Sequence, residues 1–513
     1  MIERLRDHWL TIDPRSVGLF RVALGIVLLL HFSDRWSLSG DFYGPTGVLP
    51  ARLVSTSNEI PRFPTVLTAI ESYPGGMTIF FAVATCAFAA LTVGLWTRGA
   101  ALVSLLAFSS LAHRNPYVLI GGDYVLGSML LWMQVLPLSD RFSWDALRRN
   151  RTGRELPDSR STSRPRPSIA ALGVFLQLGL IYLASAWQKT GSTWWQDGTA
   201  LAHVLGMQRF LHPGAELVAR LPESWLTLLT RAVLVFEYLV LPLILLPMAR
   251  PWLRRAALLG LATLHLGIAS VLDAGVFSIT MLACLPLLLS SQDWDWFFRL
   301  AGRFEQQSKA ACQEAVVTCR RFAPARVAMT EFASLWLLLG MVATGFNINF
   351  AVANRDYSLA PLDLPQRFAA AYQRWDMFTP DAPKCDPQLL VRVRLLDGRL
   401  LALQSDDEAL PVEVDLAPRF RSFAWRIYIG HAILQPDPKR REEAESLRTE
   451  LCRFITREVA ATDRPLHGIY TVELWARSVP TRIPVGRPLS EVEPYWVSSL
   501  DLLAERRERL ARR

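Results

Sequence analysis

Lys189 closes a long apolar run in Ser185-Ala186-Trp187-Gln188-Lys189-Thr190-Gly191, with Trp194, Trp195, Asp197 and Gly198 just beyond it. An amine in that place has two readings. It can carry its charge out to water past an interfacial tryptophan belt. Alternatively it sits in a poorly hydrated cleft, where loss of water favours the uncharged amine and lets it accept a proton. Glu237, inside another apolar run, follows Arg231 by about a turn and a half of helix. It reads as half of a buried ion pair or packing contact, or as a second group of the same cavity. His265 lies mid-run with no second His or Cys on its face, the pattern of a contact between helices rather than a metal ligand. Asn115 and Asp123 flank Gly121-Gly122 and suggest either closely packed backbone or a polar rim facing a substrate. Arg21 and Asp34 can reach an interface from either end of the first run. Ionisable groups at membrane depth cost roughly 2.5–3.5 kcal/mol each on insertion scales, so they persist when they have a partner or a task.

The elements that must position these groups are apolar runs long enough to cross a bilayer. A hydrocarbon core of about 30 Å takes about 20 helical residues. The pattern predicts nine spans, at 17–36, 76–96, 99–113, 117–137, 168–188, 225–248, 254–272, 274–291 and 328–349. Arginines crowd the loop after the fourth span (Arg141, Arg148, Arg149, Arg151 and on to Arg166) and recur after the sixth and eighth (Arg254, Arg255, Arg299). The loops at 37–75, 113–117 and 189–222 carry few basic residues. The positive-inside rule then places the N-terminus in the cytoplasm, and nine crossings place the C-terminal region outside. No cleavable signal peptide is expected, because Met1–Arg15 is polar and charged.

The chain has 513 residues, 51% of them hydrophobic, and a formal charge of +9. Its arginines sit beside membrane segments and in the tail Glu505–Arg513, which points to orientation and anionic lipid rather than nucleic acid. Six cysteines are too scattered for a disulfide scaffold or a zinc site. Cys86 and Cys284 fall in predicted helices and Cys312 and Cys319 in a predicted internal loop; Cys385 and Cys452 could pair in an oxidising compartment. There is no Walker loop, HExxH, CxxC pair, GxSxG or dinucleotide fingerprint, so neither a metal nor a nucleotide is expected.

Thr152–Pro167 reads as a polar linker, and Gln306–Arg321 as a surface helix. From Asn354 the period changes. Val391, Val393 and Leu395 alternate with Arg392 and Arg394, then Asp397-Gly398 interrupts before Leu400–Leu403, which signals a hairpin. Asp437-Pro438 offers a helix start, and Ala444, Leu447, Leu451 and Phe454 give that helix one apolar face. Ile469–Val479 is strand-like. The expected architecture is an α-helical polytopic membrane bundle over 1–350 with an extracytoplasmic mixed α/β domain over 351–513.

An ordered set of motifs resembles the vitamin K-dependent gamma-carboxylases and their bacterial relatives, the HTTM-domain membrane proteins. It comprises Phe42-Tyr43-Gly44-Pro45-Thr46-Gly47-Val48-Leu49-Pro50, Gly122-Asp123-Tyr124, Ala186-Trp187-Gln188-Lys189 with Trp195-Gln196-Asp197-Gly198, and Phe277-Ser278-Ile279-Thr280-Met281. Arg374-Trp375-Asp376-Met377-Phe378, Leu396-Asp397-Gly398-Arg399, Ile469-Tyr470 and Leu474-Trp475 follow in the family's order. In the carboxylases, the lysine matching Lys189 is the base toward reduced vitamin K. Oxygenation of that quinol provides the means to remove a γ-proton from peptide glutamate, and carbon dioxide traps the carbanion. The resemblance implies a lysine-based, quinone-dependent enzyme acting on a peptide in a bacterial inner membrane. Lys189 would be the base, with Glu237, Asp123, His265 and Trp195 lining the cavity or binding substrate. The chain departs from the family where a histidine near the fourth span is replaced by Gly122 or its neighbour, in the spacing from His265 to Phe277, and in a shorter C-terminal region. The alternative from the same relatives is a non-catalytic membrane protein for maturation, export or immunity of a secreted peptide. A transporter ranks third, because charges inside the spans are few.

Overall fold

The computed structural model describes residues 2–54, 63, 65–151, 167–247, 251–301, 324–350, 360–434, 441–481 and 494–505. Each expected apolar segment is helical: α1 (Pro14–Ser37), α2 (Gly76–Val93), α3 (Thr97–Arg114), α4 (Gly121–Val135), α5 (Ile169–Gln188), α6 (Glu223–Leu245), α7 (Trp252–Val271), α8 (Phe277–Cys284) and α9 (Pro324–Asn349). Among the described residues, five helices are long and apolar enough to cross a membrane: Arg6–Ser37, Gly76–Val93, Ile169–Gln188, Glu223–Leu245 and Ala325–Asn349. The other four fall short for visible reasons. Arg98 and Arg114 charge the ends of α3, with the polar His113 beside the second, and Arg254 and Arg255 lie in the first turn of α7. The 15 residues of α4 rise only about 22 Å. The eight residues of α8 continue as a 3-10 turn through Pro286.

Hydrogen bonds fix the direction of the helices. At one end, Ser168 N donates to Leu10 O (2.7 Å), Trp9 Nε1 to Leu245 O (2.7 Å) and Asp145 N to Gly94 O (3.0 Å). Arg21, expected to reach an interface, is instead fully buried there and donates to the carbonyls of Leu91, Thr92 and Phe142. At this end also lie Arg141, Arg148, Arg149 and the helix Ser291–Ala301, tied by Arg15 to Asp295 (3.0 Å). At the other end the loops contact the C-terminal region, through Asp41 with Arg419, Asp273 with Arg426, and Thr193 with Asp381. The basic and the base-poor loops therefore segregate to opposite ends of the bundle.

The C-terminal sheet is four-stranded and antiparallel in the order β2-β1-β3-β4, with β1 Cys385–Leu395, β2 Leu400–Ala402, β3 Ile469–Pro480 and β4 Tyr495–Asp501. The expected hairpin is present: Arg394 pairs with Leu400, and Gly398 turns the chain at φ +87°. β4 had no sequence signal. Helix α10 (Arg441–Ala461) buries Ala444, Leu447, Leu451 and Phe454 as its periodicity requires, and its Cys452 Sγ contacts Val472 O across the sheet. Cys385 and Cys452 are both free, the first exposed and the second buried. β1 differs from simple alternation because Arg392 is buried too, held by Asp407 from the loop beyond β2. The linker at 152–166, the 306–321 stretch, the tail beyond 505 and the Asp437-Pro438 start lie outside the described residues.

Between the bundle and the sheet, residues 364–382 pack into the helices. Ala369, Ala370 and Ala371 are fully buried. Gly127 of α4 makes room for them, since a Cβ there would lie 2.1 Å from Ala369 O. Gln373 exchanges amide hydrogen bonds with Gln177 of α5 (2.8 and 3.1 Å), and Asn349 Nδ2 donates to Gln373 O (2.6 Å). A segment that is irregular beyond its first helical turn can lie among helices this way because protein groups satisfy its backbone.

Candidate functional site

Lys189 is the C-cap residue of α5, its N–H bonded back to Ala186 O (3.2 Å). Glu237 lies in a stripe of α6 formed by Leu226, Thr230, Leu234, Glu237, Val240 and Ile244, all buried at helical spacing. That stripe faces α5. Gly179 allows the two helices to meet, because a Cβ there would fall 2.3 Å from Leu241 Cδ1. The result is a bidentate pair: Lys189 Nζ donates to Glu237 Oε1 at 2.7 Å and Oε2 at 2.6 Å. Lys189 is 4% and Glu237 7% exposed. Arg231 is not the partner of Glu237; it turns to Gln196 O (3.4 Å).

Aromatic groups cover the pair. Nζ sits 4.5 Å from the Trp194 ring centre, a cation–π contact. Trp195 Nε1 donates to Lys189 O (2.7 Å), and Tyr238 OH to Ala186 O (3.1 Å), so both fix the turn that carries the amine. The lysine therefore does not reach out to water past a tryptophan belt. The segment after α9 completes the enclosure. Trp194 Nε1 donates to Phe378 O (2.9 Å), Asp381 Oδ1 accepts from Thr193 N and Oγ1 (both 2.8 Å), and Gly191 N donates to Pro380 O (2.9 Å). These hydrogen bonds to Thr193 hold the Asp381 carboxyl below its usual range. Phe378 and Asp381 carry no sequence signal for this role; they meet the lysine turn only through the path of 364–382.

The other expected site residues lie elsewhere. His265 shares a 2.5 Å hydrogen bond with Tyr182 OH and meets Phe277 edge-on, making it a contact between α5, α7 and α8. Asp123 joins α4 to α1: Oδ1 lies 2.9 Å from His31 Nε2, and Oδ2 accepts from Ile120 N (2.9 Å). Arg35 stands at 3.9 Å from the same carboxylate. The backbone of Gly122 packs against Phe277, the closely packed alternative for this glycine pair. Asn115 is buried and caps the following turn, accepting from Tyr117 N (3.2 Å). His31 and Arg35 escaped the sequence reading, although they continue the buried α1 stripe of Val17, Phe20, Leu24 and Leu28. No group of three metal-ligating side chains occurs among the described residues.

A polytopic helical bundle, a small sheet docked at one end and a buried lysine at that end define a class of membrane protein. The HTTM domain family model matches residues 9–294, more than half of the chain, and the chain belongs to that family. No curated protein and no solved structure matches it.

Proposed function

We infer that this HTTM membrane protein is a carboxylase-like enzyme in which Lys189 and Glu237 form a proton-transfer pair. The observation that carries the reading is the buried amine, 2.6 and 2.7 Å from both oxygens of one carboxylate, at the position that matches the base of the carboxylases. A proton passing from Nζ to Glu237 leaves a neutral amine beside a carboxylic acid. The amine then takes the acidic proton of a bound substrate and becomes an ammonium again. The Trp194 ring over the amine, with Trp195 and Tyr238 packed against each other on the turn that carries it, is the kind of flat apolar surface that suits a reduced quinone ring. Oxidation of such a quinol by molecular oxygen is the source of the strong base that carboxylation of a peptide glutamate requires. The sheet end of the bundle is the extracytoplasmic end in this reading, since the basic loops lie at the other.

A second reading rests on the same bond. An amine engaged by two oxygens and covered by an indole is also what a tie between α5 and α6 requires, as in a non-catalytic protein that matures, exports or gives immunity to a secreted peptide. The two separate in one experiment. Purified protein in lipid is given reduced quinone, labelled bicarbonate and glutamate peptides, as wild type, as Lys189→Ala and as Lys189→Met/Glu237→Leu. The double variant leaves no unpaired charge and is expected to fold, which its melting temperature checks. Label in peptide with wild type and none with the folded double variant is the expected result. Equal incorporation by both, or a biological role that survives the double exchange, removes the lysine from the chemistry.

A further inference from the structure

At the basic end of the bundle, opposite Lys189, large aromatic side chains stand clear of the packing. Trp96, Phe142, Trp144, Trp252 and Trp296 are each 49% to 74% exposed. Two of them are held outward at a cost. Trp96 and Phe142 have φ of +45° and +53°, left-handed backbone that bulky residues seldom adopt. The fold pins both turns: Asp145 Oδ1 accepts from Trp96 N (3.1 Å), and buried Arg21 donates to Phe142 O (2.6 Å). Val93, exposed at the end of the span α2, lies three residues from Trp96. The aromatic surface therefore continues the apolar outer side of that span.

The helix Ser291–Ala301 lies across the same end. Asp293 accepts from Arg255 in the first turn of α7 (2.6 Å), and Asp295 meets Arg15 in the first turn of α1 (3.0 Å). Trp294 Nε1 donates to Ser16 Oγ (2.8 Å), and the Trp294 and Phe142 ring centres are 5.8 Å apart. The helix is thus tied to the starts of two helices at one level of the bundle. Gln292, Asp295 and Arg299 share one face at helical spacing, while Trp296, Phe297 and Leu300 fall on another and are exposed. The acidic side chains of this end are already answered. Arg255 and Arg15 hold Asp293 and Asp295, the amides of Trp96 and Thr97 hold Asp145, and Asp140 attracts Arg98. Arg141, Arg148 and Arg299 are exposed. Apolar rings bordered by outward arginines match acyl chains lying beneath phosphate groups. We propose that this end docks the anionic phospholipids of the leaflet it faces, with the helix Ser291–Ala301 lying in the head-group plane. The surface shares no residue with the Lys189 pair, so its test is separate from that of the carboxylase reading.

The test is fluorescence quenching on full-length protein in phosphatidylcholine nanodiscs. The emission of wild type minus that of Trp296→Phe reports the one ring on the exposed face of the helix. Phosphatidylcholine brominated near the head group should quench this difference at least twofold more than lipid brominated near the chain end. Brominated phosphatidylglycerol, diluted into phosphatidylcholine, should quench it at least threefold more than brominated phosphatidylcholine at the same dilution. Exchange of both exposed arginines, Arg141→Gln with Arg299→Gln, should remove that excess and leave quenching by undiluted brominated phosphatidylcholine unchanged. Quenching by aqueous iodide in place of brominated lipid overturns the proposal, as does the absence of an excess for phosphatidylglycerol or its survival in the double variant. A ring shielded from both quenchers, with two copies of the chain per disc, gives the surface to a second copy and overturns it too.

Discussion

The bundle and the sheet each bury one cation in the same setting. In the bundle Lys189 meets Glu237 at 2.6 Å and lies 4.5 Å from the Trp194 ring centre. In the sheet Arg392 meets Asp407 at 2.8 Å and lies 4.6 Å from the Trp475 ring centre, and Arg392 and Asp407 are 7% and 1% exposed. Each has a cation, a carboxylate and an indole; the difference that matters for proton exchange is the type of cation. A guanidinium stays protonated under any condition a protein survives, so Arg392 can only hold Asp407 and with it the loop covering β1. An ammonium can give its proton to the carboxylate it touches and take another. Burial and pairing alone therefore do not mark a functional charge. What separates the two sites is whether the pair can exchange a proton.

Five substitutions test that contrast. The largest effect belongs to Lys189→Met alone, which strands Glu237 without a partner. Removal of one member of a buried pair costs about 3–5 kcal/mol, so thermal unfolding in detergent should show a large loss of stability together with loss of peptide labelling. Arg392→Met should strand Asp407 in the same way, with a similar fall in stability. Labelling by the folded fraction should be unchanged, and a drop there would erase the distinction between the two sites.

Next comes exchange of the cations. Lys189→Arg keeps the charge and the tie but removes the exchangeable proton. Turnover should fall by about 10²–10⁴, the range of general acid–base catalysis, with the melting temperature near that of wild type. An active Lys189→Arg protein would place the bundle pair in the same structural role as Arg392. The reciprocal change, Arg392→Lys, should be mild, since a lysine can still reach one oxygen of Asp407.

The smallest effect concerns the latch over the lysine turn. Asp381 is held below its ordinary carboxyl value by its hydrogen bonds to Thr193. The unfolded chain therefore binds a proton there at a higher pH than the folded one does. The stabilisation is present above the unfolded value of 3.8 and fades as the pH falls through the lower folded value. Acid titration followed by Trp194 fluorescence should show the latch loosening below about pH 4, and Asp381→Asn should remove that step. An identical acid profile in the variant would show that the latch does not depend on this carboxylate.

Much of the frame was legible in the residues. The nine apolar segments are helices because a run of side chains without charges states its own conformation in lipid, where backbone groups must be satisfied within the helix. The hairpin at Asp397-Gly398 and the face of α10 followed from local turn chemistry and period. Which of those helices are long and apolar enough to cross is a stricter question, and charged ends or short length leave α3, α4, α7 and α8 below that mark. The site was half legible. Lys189 meets Glu237 and Trp195 meets the Lys189 carbonyl, whereas Asp123 and His265 join other partners.

The helices, the C-terminal hairpin, the strand at Ile469–Val479, the family and the one lysine worth testing could all be read from the residues, since these are properties of short windows or of motifs in order. Which group answers each buried charge depends on the packing of distant segments. Glu237 is 48 residues from Lys189 and six from Arg231, yet it pairs with the distant residue, because the approach of α5 to α6 at Gly179 decides which charge its stripe meets. The path of residues 364–382 through the helices has the same origin. Partner choice among buried charges is a matter of distances across the fold, and no window of sequence contains them.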